Sequence, residues 1–172
     1  MTDINVEDLC RDIQMKLPAV LWMLDYTGRY RAGRFNEDFA RLEDGRTYLF
    51  GVVEVPLNYT DEASFTWGVW AQVSPEDHDR YLNAFQTADA EGLEIEGLLA
   101  NDIPGYEGSE GTPVRLTTHA DRRPSVTVLK GDLAEDQREG LSLDDHVELD
   151  RILFGDDEDE DDEEEGTDAT DR

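Results

Sequence analysis

Lysine is almost absent from this chain: Lys16 and Lys130 are the only two among fifteen Lys and Arg, set against forty-three Asp and Glu, for a net charge of −28. Cysteine is reduced to Cys10, which excludes a disulfide within the chain and a zinc site built on cysteines. No window approaches the roughly eighteen uninterrupted apolar residues of a membrane-spanning helix. The first fifteen residues are acidic and amphipathic rather than a basic start followed by an apolar run, so a cytoplasmic, soluble protein with no membrane association is expected. Also missing are a Gly-x-Ser-x-Gly elbow, a Gly-Lys-Ser/Thr phosphate loop and any pair of histidines four residues apart. Sequence alone therefore supports no nucleophilic catalysis, names no catalytic residue, and leads to an expectation of no metal, no cofactor and no nucleic-acid binding.

What is abundant is negative charge, and it has two parts. The segment from Gly155 to Arg172 holds twelve carboxylates and one arginine, a net of −11, which leaves −17 on residues 1–154. A body so charged repels itself unless salt screens it. Adaptation to a salt-rich cytoplasm is the leading reading, because at molar salt the Debye length falls to roughly 3 Å. Scarce lysine fits, since its long aliphatic stem exposes apolar surface that high salt penalises. A docking surface for a basic partner is the second reading, and a coding bias toward arginine the third.

Local signals divide the chain into an N-terminal helical region (1–24), an α+β domain (25–154) and an acidic tail (155–172). Ile4, Leu9, Ile13 and Leu17 recur near helical spacing and Pro18 ends the run, which predicts an N-terminal amphipathic helix. Ala19–Leu24 is apolar enough for helix or strand. Asp44-Gly45 predicts a tight hairpin between Phe39–Leu42 and Tyr48–Leu57. Phe65–Val73, Leu93–Leu99, Val114–His119 and Ser125–Leu129 read as further strands. Ser74-Pro75-Glu76-Asp77 opens a helix running to about Ala90, and Ser142 with Asp145 caps a last one. The sum is a single α+β domain, an antiparallel sheet of about five strands with packed helices. Residues 156–165 are ten consecutive acids and predict a disordered tail.

Few residues offer themselves as a site. Trp70 falls on the strand face opposite Phe65, Trp67, Val69, Ala71 and Val73, and Glu54 shares a face with Phe50 and Val52. Such a tryptophan beside Gly68 and a carboxylate can wall a ligand groove or belong to a second packed layer, and the layer is favoured. His78, His119 and His146 lie far apart, so only an assembled pair such as His119 with Asp121 leaves room for a metal. Gly105, Gly108 and Gly111 punctuate a loop around Tyr106 whose acidic neighbours Glu107 and Glu110 would repel phosphate, so it reads as a turn.

Four ordered blocks then resemble a family. Gly51-Val52-Val53-Glu54-Val55-Pro56, Phe65-Thr66-Trp67-Gly68-Val69-Trp70, Leu98–Asn101 with Ile103-Pro104-Gly105-Tyr106, and Asp136-Gln137-Arg138-Glu139-Gly140-Leu141 are similar to the successive motifs of a bacterial family, domain of unknown function 2199. The resemblance implies a cytoplasmic α+β domain and no particular activity. Many of its members carry an N-terminal Cys-x-x-Cys knuckle that suggests zinc; Cys10 alone does not carry that role over. Its loop-like blocks point to Tyr106 and Arg138 as binding candidates, with Arg138 either pairing with an acid such as Glu54 or meeting an anionic ligand.

These readings lead to a non-enzymatic domain that binds an unidentified small ligand or protein partner, with Glu54, Trp70, Tyr106 and Arg138 as candidate binding residues. Two alternatives stand beside it: an acidic inhibitor or immunity protein for a basic toxin or nuclease, and an enzyme with a groove around Trp70, Glu54 and Arg138.

Overall fold

The computed structural model describes residues 9–61 and 63–155. In chain order it runs β1 (Asp12–Gln14), α1 (Ala19–Trp22), α2 (Tyr26–Ala32), β2 (Gly33–Phe35), β3 (Phe39–Leu42), β4 (Thr47–Pro56), β5 (Ser64–Val73), α3 (Pro75–Ala84), a 3-10 turn (Ala88–Ala90), β6 (Glu94–Leu99), β7 (Pro113–Thr117), β8 (Ser125–Val128), α4 (Asp132–Glu139) and α5 (Leu143–Phe154). Both β4 and β5 are ten residues long and pair antiparallel along their whole length, from Thr47 opposite Val73 to Pro56 opposite Ser64.

That length decides the architecture. Each strand outruns its next neighbour, so its second edge is shared by two partners. The C-terminal half of β5 takes β6 and its other half takes β1, parallel, at Asp12–Thr66 to Gln14–Gly68. Likewise β4 takes β3 at one end and β8 at the other, through the single parallel bridge of Val52 with Ser125. The ring β4, β5, β6, β7, β8 thereby closes into a five-stranded barrel within an eight-stranded sheet. A single α+β domain is what the sequence predicts and the structure has; the expected antiparallel sheet of about five strands is a closed five-stranded barrel, with two parallel pairings and with β1, β2 and β3 beside it.

Alternating residues fill the barrel: Leu49, Val53 and Val55 from β4, Phe65, Trp67, Val69, Ala71 and Val73 from β5, then Ile95, Leu116 and Val126. On the outer face Tyr48, Phe50 and Trp70 form a second cluster with Leu21, Ala40, Leu42 and Ala100. Both tryptophans of β5 are fully buried, one on each side of the strand.

The seam at β8 is completed by a side chain. Only Ser125 of β8 meets β4, and further along the strand Gln137 of α4 donates through Nε2 to the Val126 carbonyl and accepts at Oε1 from the Val128 N–H, both at 2.8 Å. Its amide thus stands in for a strand edge. Gly140 ends α4 at φ 85°, and a Cβ there would collide with the Asn58 amide, which donates to the Glu139 carbonyl. The block 136–140, loop-like in sequence, is therefore the end of a helix, overlooked because Leu133 and Ala134 are its only buried side chains.

Three other expectations meet the structure. Residues 4–8 of the predicted N-terminal helix lie outside the described residues; within 9–17 the chain is extended, with Met15 N–H donating to the Gly68 carbonyl at 2.7 Å. Ile13, Met15 and Leu17 alternate with exposed Asp12, Gln14 and Lys16, a strand period that the free edge of β5 selects over the helical spacing. Helix α3 has its Ser74 cap and Pro75 at the first position, but stops at Ala84 rather than Ala90. Phe85 leaves the helix to pack 4.9 Å from Phe39 and 5.7 Å from Tyr81. Residues 156–172 of the acidic tail lie outside the described residues.

Candidate functional site

The loop from Asn101 to Thr112 is held rigid before it presents anything. Asp102 Oδ1 accepts from the backbone N–H groups of Gly108 at 2.7 Å and Ser109 at 3.0 Å, and Ser109 Oγ accepts from Ile103 N–H. At its root Asn101 accepts from Trp70 N–H and donates to the Leu17 carbonyl, tying the loop to both sheet and N-terminal segment. The turn then projects Tyr106 against Trp67, ring centroids 6.2 Å apart and edge to face, while its hydroxyl donates to Asp136 Oδ2 at 2.6 Å.

Tyr106 and Gly105 form the wall between two adjoining hollows. One, of about 300 Å³, is lined by Asp132, Glu135, Asp136, Asp145 and Glu148 around Leu141, Leu149 and Ile152. The other, of about 230 Å³, continues past Asp132 toward Lys130 and Val128. Among the described residues Arg151 pairs with Glu148 at 2.7 Å, and Asp132, Glu135, Asp136 and Asp145 have no ion pair. Partial burial pushes the Asp136 carboxyl above its ordinary value; the Tyr106 hydrogen bond opposes this and the Asp145, Asp132 and Glu139 charges reinforce it. Burial and the bond to Asp136 raise the Tyr106 phenol in turn, so it stays a donor. Among the described residues no group of three or more His, Cys, Asp or Glu side chains is arranged to hold a metal ion. What the cleft offers is negative potential over an apolar floor.

The four residues singled out in sequence go to different places. Tyr106 lines the cleft. Trp70 is fully buried in the second cluster, edge to face with Phe50 at 5.4 Å, its indole N–H on the Met15 carbonyl. Glu54 is exposed on β4, four residues from the Phe50 that faces Trp70, hence roughly 13 Å along the strand. Arg138 is exposed on α4, whose buried residues join the barrel interior on the face of β4 opposite Glu54. Glu54, Trp70 and Arg138 are therefore not brought together. His146, fully buried, holds the N-terminal segment down: Nε2 donates to the Cys10 carbonyl and Nδ1 accepts from the Tyr59 hydroxyl, both at 2.7 Å. Sequence reasoning did not find Asp132, Asp136 or Asp145 because carboxylates are everywhere in this chain; only the fold selects those that face one hollow.

A family profile described as an uncharacterized protein conserved in bacteria, DUF2199, matches residues 4–141. The chain belongs to that family. Its blocks now have structural roles: Gln137 and Gly140 finish the barrel seam, Asn101 and Trp70 fasten the N-terminal segment, and Tyr106 faces the cleft. The search of curated proteins gives no match, and neither does the search of solved structures. No helix among the described residues is long and apolar enough to cross a membrane.

Proposed function

We propose that this DUF2199 protein acts by binding, and that the cleft beside Tyr106 receives a cationic group, a guanidinium or ammonium carried by a basic partner. The observation that carries the reading is geometric: Asp132, Glu135, Asp136 and Asp145 line one hollow over Leu141, Leu149 and Ile152 with no ion pair among the described residues, and a bound cation offsets their mutual repulsion; burial first, then the neighbouring charges, hold the Asp136 carboxyl above its ordinary value. Arginine suits the hollow best, because its planar fork can take two carboxylates while its stem covers the apolar floor. Of the four binding candidates, Tyr106 is assigned to this cleft; Glu54 and Arg138 are left on the outer surface and Trp70 serves packing. A basic toxin or nuclease is one partner of the required chemistry.

Titrating labelled protein with an arginine tripeptide at 0.15 M salt, followed by NMR, tests the reading at residue level. Shifts concentrated at Tyr106, Asp136 and Asp145, weakened by Asp136→Asn, are expected. Shifts scattered over the acidic surface with none at Tyr106 would overturn it. The remaining charge is assigned to a salt-rich cytoplasm, which predicts a melting temperature that climbs with KCl into the molar range; a melt independent of salt removes that assignment.

A further inference from the structure

At the opposite end of β8 the chain assembles a relay that no spacing in the sequence announces. Ser125 Oγ lies 2.9 Å from His119 Nε2, and His119 Nδ1 lies 3.5 Å from Glu91 Oε2. Glu91 is aimed by the backbone: its Oε1 accepts from Ala120 N–H at 3.0 Å, leaving Oε2 toward the ring. That N–H, and then His119, hold the Glu91 carboxyl below its ordinary value, so it is ionised at neutral pH. His119 Nδ1 is buried without a hydrogen-bond partner, 3.5 Å from the Glu91 carboxylate; with the ring proton on that nitrogen, Nε2 is an acceptor facing the serine hydroxyl. The imidazole is 10% exposed, whereas Ser125 is exposed, the distribution a sheltered base and an accessible nucleophile need.

The surroundings are equally specific. His119 lines a cavity of about 310 Å³ together with Phe85, Gln86, Asp38, Asp121, Arg122 and Arg123; Ser125 is not among the lining residues but lies 2.9 Å from the ring that is. Two arginines on one small hollow are notable in a chain with fifteen cations and a net charge of −28. Arg123 is engaged by Asp38 at 3.0 Å and lies over the Phe50 ring, while Arg122 holds only a loose 3.6 Å contact with exposed Asp121. Gln86 is the one non-glycine among the described residues with positive φ, at 62°. Local strain of this kind gathers at functional sites.

We propose that Ser125, His119 and Glu91 form a hydrolytic site for small carboxylic esters that carry an anionic group, with Arg122 receiving the anion. Ser125 Oγ bonds to the ester carbonyl carbon as its proton passes to His119 Nε2. The carbon–oxygen bond to the alcohol then breaks and the alcohol leaves with that proton. Water, deprotonated by the same nitrogen, attacks the acyl-serine, and the serine recovers the proton as the acid departs. Glu91 acts through His119 as a positioning residue. The 3.5 Å separation is the loose contact expected before substrate tightens the site.

Covalent trapping with a fluorophosphonate, read by peptide mass mapping on the full chain, tests this. Labelling at Ser125 is expected, absent in Ser125→Ala, slowed at least about a hundredfold in His119→Gln, and slowed in Glu91→Gln, whose melting temperature falls only slightly. Hydrolysis of 4-nitrophenyl succinate should exceed that of 4-nitrophenyl acetate in kcat/KM, and Arg122→Gln should erase the preference. No adduct at Ser125, or an adduct that forms equally fast in His119→Gln, overturns the proposal; equal rates on the two esters overturn its substrate class.

Discussion

The two ends of β8 treat charge in opposite ways. Beyond Val128 the strand leads into the Tyr106 cleft, where Asp132, Asp136 and Asp145 face one another without an ion pair among the described residues and the Asp136 carboxyl is pushed up. Before Ser125 the loop turns Glu91 toward an N–H and a histidine, and its carboxyl is pulled down. The same carboxylate group thus stands without an ion pair in one place and fixed and satisfied in the other. An unmet charge attracts a partner, whereas a satisfied one orients a neighbour.

Both ends depend on the seam between them, so the largest effect should come from Gln137→Ala. It leaves the Val126 carbonyl and Val128 N–H without their partner, a loss of about 2–4 kcal/mol measurable by denaturant unfolding. Gln137→Glu should recover less than half of that loss, because a carboxylate accepts from Val128 but cannot donate to Val126. If Gln137→Ala unfolds at the wild-type midpoint, the amide does not complete the barrel.

The carboxylates themselves sharpen the contrast, because the two substitutions should differ in sign. Asp136 has a raised folded-state pKa, so its ionisation weakens the fold: its contribution is full below the ordinary carboxylate value and is lost as pH rises through the folded one. Asp136→Asn should therefore stabilise at pH 7, by less than about 1 kcal/mol given its exposure, and should flatten the decline of stability between mildly acidic and neutral pH. For Glu91 the folded value is depressed, so stability is present above the ordinary value and lost as pH falls through the folded one. Glu91→Gln should lower the melting temperature slightly at neutral pH and remove that acid-limb loss. Two substitutions with the same sign would erase the distinction drawn between the ends.

A smaller effect is expected at the cavity wall. Gln86→Gly should relieve the left-handed backbone at φ 62° and raise stability by a few tenths to about 1 kcal/mol, after the added chain entropy is subtracted. Thermal melts decide it, and a clear loss would mean that the Gln86 side chain contributes more than its conformation costs.

Much of this architecture was legible residue by residue. Asp44-Gly45 gives the β3–β4 hairpin, Ser74 with Pro75 opens α3, and the Ser142–Asp145 capping box opens α5, because each signal is local and its chemistry is complete within four residues. Barrel closure was not legible, since it rests on one parallel bridge and one glutamine side chain across the seam. Nor was β1, whose strand period shows only once β5 offers an edge. Of the site residues, Tyr106 could be noticed as an aromatic in a glycine-rich loop. Glu91, His119 and Ser125 come from a 3-10 turn, a strand exit and a strand start, and nothing in their spacing predicts that they meet.

Carbon-detected NMR titration of the Asp136 carboxyl, alone and with the arginine tripeptide, tests the cleft most directly. Its midpoint should lie above the ordinary carboxylate value in the free protein and fall when peptide is added, while the Glu91 midpoint, below the ordinary value, does not move. An Asp136 that titrates at the ordinary value and ignores the peptide contradicts the assignment of this cleft to a cationic partner.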